Sequence, residues 1–172
     1  MIQVEADAGE EWDCRIGWAD LAQAAVGSAV RHSDFPELAG SGLVVEVSVK
    51  FTGDSEVRSL NASYRSKDKT TNVLSFPMLE PDMLGSLSGS GEGEILLGDI
   101  ILAHGTCAAE AAEKDVPIEV HASHLIVHGT LHLLGYDHED GAAEAEAMED
   151  VERAALAAIG ISDPYAVTEV QT

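Results

Sequence analysis

The sequence predicts an α+β fold, in which a small mixed β-sheet packs against several helices. Short β-branched stretches and stretches with apolar residues at helical spacing both occur, but they do not alternate regularly along the chain. The chain has 172 residues, of which 45% are hydrophobic, so it can bury a core and is not a disordered protein. We therefore expect residues 1–172 to form one domain.

Four stretches are predicted to be strands because apolar residues alternate with polar ones or form a short β-branched run. They cover residues 2–5, 43–49, 72–76 and 94–102, the last with an interruption at Gly98 and Asp99. Pro77 ends the third of them. Residues 81–93 are rich in Gly and Ser and are predicted to form a flexible loop within the domain, since short strands lie on both sides.

Five stretches are predicted to be helices from their apolar periodicity or composition. They cover residues 18–30, 54–64, 106–114, a stretch that starts near Pro117, and 141–159. Asp54 or Ser55 is available as the N-cap of the second helix. In the last helix, the apolar stripe consists of Met148, Val151, Ala155 and Ile159.

The charge distribution favours one local RNA site on an otherwise acidic protein. The net charge of −22 argues against general affinity for nucleic acid, because phosphate binding depends on clustered Lys and Arg. Five of the nine basic residues nevertheless fall in one short window: Lys50, Arg58, Arg65, Lys67 and Lys69. Such a protein can bind RNA at one place and repel it elsewhere.

The cellular location is predicted to be cytoplasmic. The first residues lack the basic and apolar regions of a signal peptide, and no apolar run approaches the length of a membrane span. Cys14 and Cys107 lie far apart, which disfavours a disulfide framework. We expect no membrane association.

Three histidines near the last third of the chain have the spacing of metal ligands. His128 and His132 are one helical turn apart, so their imidazoles project from the same face. Gly135 can end this helix, because it accepts a left-handed backbone, and the chain then turns and brings His138 back. Three neutral imidazoles leave a tetrahedral Zn²⁺ with one open position, as in a catalytic site.

Two alternatives to a catalytic zinc site arise from the same residues. Three histidines can align by chance, but this spacing with a Gly between the second and third disfavours it. The spacing also matches the metzincin protease pattern H-E-x-x-H-x-x-G-x-x-H, except that Gly129 replaces the catalytic Glu. A protease is therefore improbable. Imidazoles also bind nickel, copper and iron, which leaves the identity of the metal open.

Three motifs occur along the chain in a fixed order. They are residues 60–77, the run Leu97-Gly98-Asp99-Ile100, and residues 124–138, which read H-x-x-x-H-G-x-L-H-L-x-G-Y-D-H. Together with the tail at residues 163–165, Asp-Pro-Tyr, they closely resemble the YbeY family of bacterial metal-dependent endoribonucleases, which are also described as rRNA maturation factors. The resemblance implies that residues 1–172 form a single metal-dependent hydrolase domain.

The resemblance implies one Zn²⁺ per chain, bound by His128, His132 and His138, and a functional role for Arg65. It also implies a single-strand-specific endoribonuclease that acts on ribosomal RNA, in rRNA maturation and ribosome quality control, with the ribosome or its small subunit as partner. A guanidinium makes two parallel hydrogen bonds to phosphate, which gives a physical reason for Arg65. His124 is a second catalytic candidate, with a hydrogen-bonded core histidine as the alternative.

Two further interpretations remain open from the sequence. Asp137, beside His138, is either a carboxylate that orients a ligand imidazole or a plain turn residue. The whole protein is either a nuclease or a ribosome-associated assembly or binding factor whose metal holds the fold. Removal of the metal distinguishes these two alternatives. It stops only the turnover of a nuclease, whereas it unfolds a protein whose metal holds the fold.

Overall fold

The computed structural model describes residues 1–40, 42–80, 82–84, 93–137 and 141–165. Its four strands are β1 (Ile2–Ala8), β2 (Val44–Thr52), β3 (Val73–Pro77) and β4 (Glu94–Ala103). They form one sheet in the order β1-β2-β4-β3. β1, β2 and β4 run parallel, and the edge strand β3 runs antiparallel to β4. The predicted small mixed sheet is confirmed.

The predicted helices are confirmed, with ends that differ by a few residues. The structure has α1 (Trp18–His32), α2 (Glu37–Gly40), α3 (Asp54–Arg65), α4 (His104–Lys114), α5 (Ile118–Leu133) and α6 (Ala142–Ala158). The sequence did not predict α2, a single turn without its own periodicity. Among the described residues, no helix is long and apolar enough to cross a membrane.

The position of α5 at the centre of the helical layer places the histidine motif. This helix contacts α1, α4 and α6 as well as strands β3 and β4. Most of its residues are buried, and they lie on every face of the helix. This is expected for a helix that is apolar around most of its circumference. Two of its histidines, His128 and His132, are only partly buried and lie where α5 meets the edge strand β3.

Strand β4 is continuous, so the predicted interruption at Gly98 and Asp99 is wrong. Glu46 pairs with Leu96 and Val47 pairs with Gly98, which leaves Leu97 as an extra residue on β4. A β-bulge of this kind accommodates one additional residue without ending the strand. The irregular apolar pattern reflected the bulge and not a turn.

The predicted N-cap of α3 is also wrong. Gly53 occupies the N-cap position, and Asp54 is already helical. The Asp54 carboxylate instead accepts hydrogen bonds from the backbone N–H (3.0 Å) and the hydroxyl (3.1 Å) of Thr106 in the first turn of α4. A carboxylate at a helix N-terminus satisfies donors that lack partners within the helix, so Asp54 caps a helix distant in sequence.

Two sequence predictions fall largely outside the described residues. The predicted Gly/Ser-rich loop at 81–93 is described only at residues 82–84 and 93, and His138 is not among the described residues. The assignment of residues 1–172 to one domain stays a prediction.

The two cysteines are expected to differ in reactivity. Cys14 is exposed, whereas Cys107 is buried, and this burial raises the pKa of the Cys107 thiol to about 12. Because the thiolate is the reactive form, iodoacetamide should modify only Cys14 in the folded protein at pH 8. Mass spectrometry of intact protein should show one adduct before unfolding in urea and two after it. Two adducts on the folded protein would contradict the burial of Cys107.

Candidate active site

The C-terminus of α5 is closed by a turn that depends on Gly135. The residue has a left-handed φ of 96°, as predicted. The Gly135 N–H donates to the carbonyl of His132 (3.0 Å), and the Tyr136 N–H donates to that of Leu131 (3.0 Å). This pair of bonds is the Schellman motif, in which glycine avoids the strain that a Cβ causes. The turn brings residues 135–137 beside the histidines of α5.

His128 and His132 direct the same ring nitrogen, Nε2, toward each other. Nε2 of His128 lies 3.1 Å from Nε2 of His132, and the ring centroids are 4.6 Å apart. His132 Nδ1 lies 2.9 Å from the carbonyl oxygen of Tyr136, and His128 Nδ1 lies 2.7 Å from Oε2 of Glu152. Because both of these oxygens only accept, each Nδ1 carries a proton. In the neutral rings, both Nε2 atoms therefore hold lone pairs.

This arrangement fits a divalent metal ion. Two imidazole nitrogens that bind Zn²⁺ tetrahedrally at 2.0–2.1 Å are about 3.3 Å apart, close to the separation of the Nε2 atoms. Metal-binding histidines almost always donate the other N–H to a carboxylate or a carbonyl, as His128 and His132 do here. Among the described residues no group of three His, Cys, Asp or Glu is placed to hold a metal. The third predicted ligand, His138, lies outside them.

Glu152 of α6 is the buried acceptor behind the histidines. Its side chain is fully buried, and Oε1 accepts hydrogen bonds from His124 Nε2 (3.0 Å) and from the hydroxyl of Tyr165. Burial by itself raises the pKa of Glu152, but the hydrogen bonds from His124, His128 and Tyr165 outweigh it and lower the pKa to about 2. A buried carboxylate that stays ionised is available to orient the ring of His128.

Sequence reasoning missed both Glu152 and the role of Tyr165. Glu152 lies on the buried face of α6, one turn after Met148 and one turn before Ala155 and Leu156, which are all buried. A single acidic residue on an otherwise apolar face was the available signal. Tyr165 belongs to the tail that the family resemblance identified, and burial together with Glu152 raises its pKa.

The structure places His124 behind His128. His124 does not line the cleft that is formed by Arg65, His128 and His132. It is only 7% exposed, its Nε2 lies 3.2 Å from the hydroxyl of Tyr165, and its ring centroid is 6.4 Å from that of His128. Its Nδ1 has no hydrogen-bond partner among the described residues. This position matches the alternative of a hydrogen-bonded core histidine. A catalytic role for His124 stays a prediction without a contact to support it.

Arg65 and the two histidines line one cleft of about 740 Å³. Its walls come from the end of α3, from β3 with the residues before it, from α5, and from the turn after α5. The lining side chains include Tyr64, Arg65, Asn72, Phe76, His128, His132, Tyr136 and Asp137. The topology brings these together because β3 lies at the edge of the sheet, between α3 and α5. Asp137 therefore lies at the site. The hydrogen-bond acceptor at Nδ1 of His128 is the Glu152 carboxylate. The acceptor at Nδ1 of His132 is the carbonyl of Tyr136.

Two of the five basic residues between Lys50 and Lys69 form ion pairs with carboxylates. Lys50 lies 2.6 Å from Glu56, and Arg58 lies 2.8 Å from Asp68. Among the described residues, no carboxylate lies within salt-bridge distance of Arg65. Arg65 therefore lines the cleft, whereas the positive charges of Lys50 and Arg58 are paired with carboxylates on the surface.

Gly129 lies against the sheet, where a larger residue would have to displace its neighbours. A Cβ at this position would be 3.2 Å from both the Ile100 Cγ2 and the Ser75 Oγ. These contacts are closer than ordinary van der Waals distances, so the close packing of α5 on β3 and β4 favours glycine. The Glu of the metzincin pattern would need this space, which argues further against a protease.

Comparison with known proteins shows the family to which this chain belongs. A family model described as endoribonuclease YbeY matches residues 10–160. The chain belongs to this family. A relative named endoribonuclease YbeY from Rhizorhabdus wittichii is 56% identical over 170 residues, which cover 98% of this chain and 99% of the relative. Another with this name, from Sphingopyxis alaskensis, is 52% identical over 166 residues, or 96% and 98% of the two chains.

A solved structure shares the fold. The solution structure of TM1509 from Thermotoga maritima has a TM-score of 0.55 and 22% identity, and the match covers 97% of this chain and 100% of that one. At this identity the likeness concerns the fold alone. Membership of the YbeY family confirms the resemblance seen in the motifs and the predicted enzyme class, an endoribonuclease.

Proposed function

We propose that this protein cleaves single-stranded RNA with the help of a divalent metal ion, zinc, and that it acts in ribosomal RNA maturation and ribosome quality control. One observation carries the proposal: Arg65, with no acidic partner among the described residues, lines the same cleft as the paired Nε2 atoms of His128 and His132. The names of the relatives supply the substrate class, since they are endoribonucleases.

His128 and His132, together with His138, hold the metal ion in the proposed site. When bound, the ion supplies Lewis-acid chemistry, because it draws charge from a phosphoryl oxygen and lowers the pKa of a water molecule. Glu152 and the carbonyl of Tyr136 keep both described rings in the tautomer that leaves Nε2 free of a proton. These two acceptors prepare the site before the ion arrives.

Arg65 binds the scissile phosphate in this proposal. Its guanidinium forms two parallel hydrogen bonds with phosphate oxygens, and its charge opposes the negative charge that develops on them during cleavage. Arg65 is exposed, lines the cleft and is the last residue of α3, so its guanidinium can contact a phosphate that enters the cleft.

A single strand is the substrate that the charge of the protein favours. With a net charge of −22, most of the surface repels phosphates, so contact is confined to the cleft. A duplex would bring a second strand of phosphates toward a protein whose net charge is −22. A single strand presents one phosphate to Arg65 and can direct its bases away from the surface.

RNA cleavage by the purified protein tests the proposal. Zinc-loaded protein is incubated with a labelled single-stranded RNA and with the same RNA in a duplex, each with and without a chelator. We expect internal cleavage of the single strand, loss of cleavage with the chelator, and recovery after zinc is added back. Full activity in the chelated protein would contradict the metal-dependent mechanism, and equal cleavage of the duplex would contradict the strand preference.

The ribosomal role rests on the family resemblance and needs its own experiment. Tagged protein in a bacterial lysate is expected to sediment with the small ribosomal subunit on a sucrose gradient, and to appear in the cytoplasmic fraction. Purified subunits with unprocessed rRNA should be cut by the zinc-loaded protein. Sedimentation only at the top of the gradient, with no cleavage of rRNA, would separate the nuclease activity from the ribosome.

The carboxylate of Glu152 is expected to matter for metal affinity. A Glu152→Gln change keeps the size of the side chain but removes the charge that faces His128 Nδ1. Loss of such a partner lowers metal affinity about 10- to 100-fold. Zinc affinity is measured by competition with a chromophoric chelator, and Glu146→Gln, an exposed change on the same helix, is the control. Equal affinity of the Glu152→Gln variant and the parent would contradict this role.

A further inference from the structure

Tyr64 is the most exposed large hydrophobic residue of the described chain, and it lines the cleft. It is 72% exposed, more than the exposed residues Met1, Met78, Met83 and Leu96. It immediately precedes Arg65, and both line the same cleft. A single exposed aromatic residue is common on a protein surface, but one beside a candidate phosphate-binding group needs a separate explanation.

The end of α3 that carries Tyr64 is held rigidly. Ser66, directly after the helix, adopts a left-handed φ of 58°, and the Lys67 N–H donates to the carbonyl of Asn61 (3.2 Å). The side chain of Asn61 is buried and donates from Nδ2 to the carbonyl of Lys69 (2.9 Å). These bonds fix the course of the chain after the helix. Tyr64 is therefore presented on a stable element and not on a loop.

Phe76 of β3 supports the ring of Tyr64. The two ring centroids are 5.6 Å apart with an interplanar angle of 64°, an edge-to-face contact. Phe76 also lines the cleft. The contact limits the orientations of the Tyr64 ring, while most of that residue remains open to solvent. An aromatic ring that is pre-oriented and exposed loses little conformational entropy when a flat ligand stacks on it.

We infer that Tyr64 is the stacking site for a nucleobase of the RNA, next to the phosphate that Arg65 binds. The inference rests on the proposed function and extends it to the recognition of a base. Single-stranded nucleic acids are commonly bound by aromatic residues that stack on bases beside cationic groups that contact the backbone. Every base has a π-face, so this site tolerates different sequences and requires an unpaired base.

The experiment measures RNA binding and cleavage with variants of Tyr64. Binding of a fluorescent single-stranded RNA is measured by anisotropy in the His132→Ala background, which prevents cleavage, and cleavage is measured without that change. Tyr64→Ala should weaken binding about 5- to 150-fold, since stacking of one base contributes that much. Tyr64→Phe should bind like the parent, because the ring and not the hydroxyl stacks. Leu96→Ala, an exposed apolar residue outside the cleft lining, is the control.

Abasic RNA identifies the partner of the ring. A series of RNAs is prepared, each with one abasic position. One of them should bind the protein that contains Tyr64 more weakly than intact RNA does, by the same factor as the Tyr64→Ala change. The Tyr64→Ala variant should bind this abasic RNA and intact RNA equally well. If Tyr64→Ala does not weaken RNA binding, or if abasic RNA binds both proteins more weakly by the same factor, Tyr64 is not a stacking site. Cleavage of RNA by the parent would then still support the nuclease activity. If the parent neither binds nor cleaves RNA, both proposals fail.

Discussion

Replacing His132 by alanine should abolish metal binding and reduce RNA cleavage to the level of the chelated protein. The change removes one of two Nε2 atoms that lie 3.1 Å apart. Loss of an outer hydrogen-bond partner already lowers metal affinity about 10- to 100-fold, so loss of a ligand should lower it by more than about 100-fold. Zinc content of the purified variant, measured by atomic emission, and RNA cleavage are the two readouts.

The variant should remain folded, because alanine is the most favourable residue for a helix interior and His132 is only partly buried. The far-UV circular dichroism and the melting temperature should stay close to those of the chelated parent. His32→Ala, an exposed histidine on α1, should keep full zinc content and activity. Full zinc occupancy in the His132→Ala variant would show that the metal is bound elsewhere.

The same measurements distinguish a catalytic metal from one that holds the fold. The buried hydrophobic core includes residues from the sheet and from α1, α5 and α6, whereas His128 and His132 are only partly buried. We therefore expect the chelated parent to stay folded at room temperature and to lose only RNA cleavage. Unfolding of the whole chain upon chelation would favour the alternative of an assembly or binding factor with a structural metal.

Replacing Arg65 by alanine should lower RNA cleavage about 10²- to 10³-fold without changing the zinc content. The estimate corresponds to about 2.7–4 kcal/mol, the cost of losing one donor that stabilises developing charge. Arg65→Lys should recover part of the activity, since lysine supplies the charge but not two parallel hydrogen bonds. Single-turnover cleavage of a defined RNA measures the effect on the chemical step.

Arg58→Ala is the matched control for Arg65→Ala. Arg58 lies on the same helix but pairs with Asp68 on an exposed surface, and it does not line the cleft. Its removal should change cleavage by less than about fivefold, because an exposed ion pair contributes about 0–1 kcal/mol. If Arg65→Ala cleaves RNA at the rate of the parent, Arg65 does not bind the scissile phosphate. Cleavage of peptides by the zinc-loaded parent would restore the protease alternative.

Local patterns in the sequence were sufficient for most of the secondary structure. The alternation of residues 43–49 and the apolar stripe of residues 18–30 correspond to β2 and α1, because these patterns report directly on which face is buried. The prediction failed at β4 and at the start of α3. In both places a partner from another part of the chain decides the local structure: β2 opposite the bulge at Leu97, and Thr106 beside Asp54.

The candidate site divides in the same way. The spacing of His128 and His132 and the glycine at position 135 follow from helix geometry, so the sequence alone predicted two rings on one face and the turn after them. The acceptor behind His128 was not predictable by spacing, since Glu152 lies 24 residues further along and on another helix. Only the packing of α6 on α5 brings its carboxylate to the ring.

The sequence by itself determined the order of the strands and of the longer helices, the paired histidines, the helix-ending glycine and the family, because each of these depends on residues that are near one another in the chain. The tertiary structure alone decided three things: that Arg65 shares a cleft with the histidines, that Glu152 stays ionised behind them, and that Tyr64 is exposed at the same place. The physical reason is that burial, charge and distance between side chains of different elements arise only when the sheet and the helices pack together.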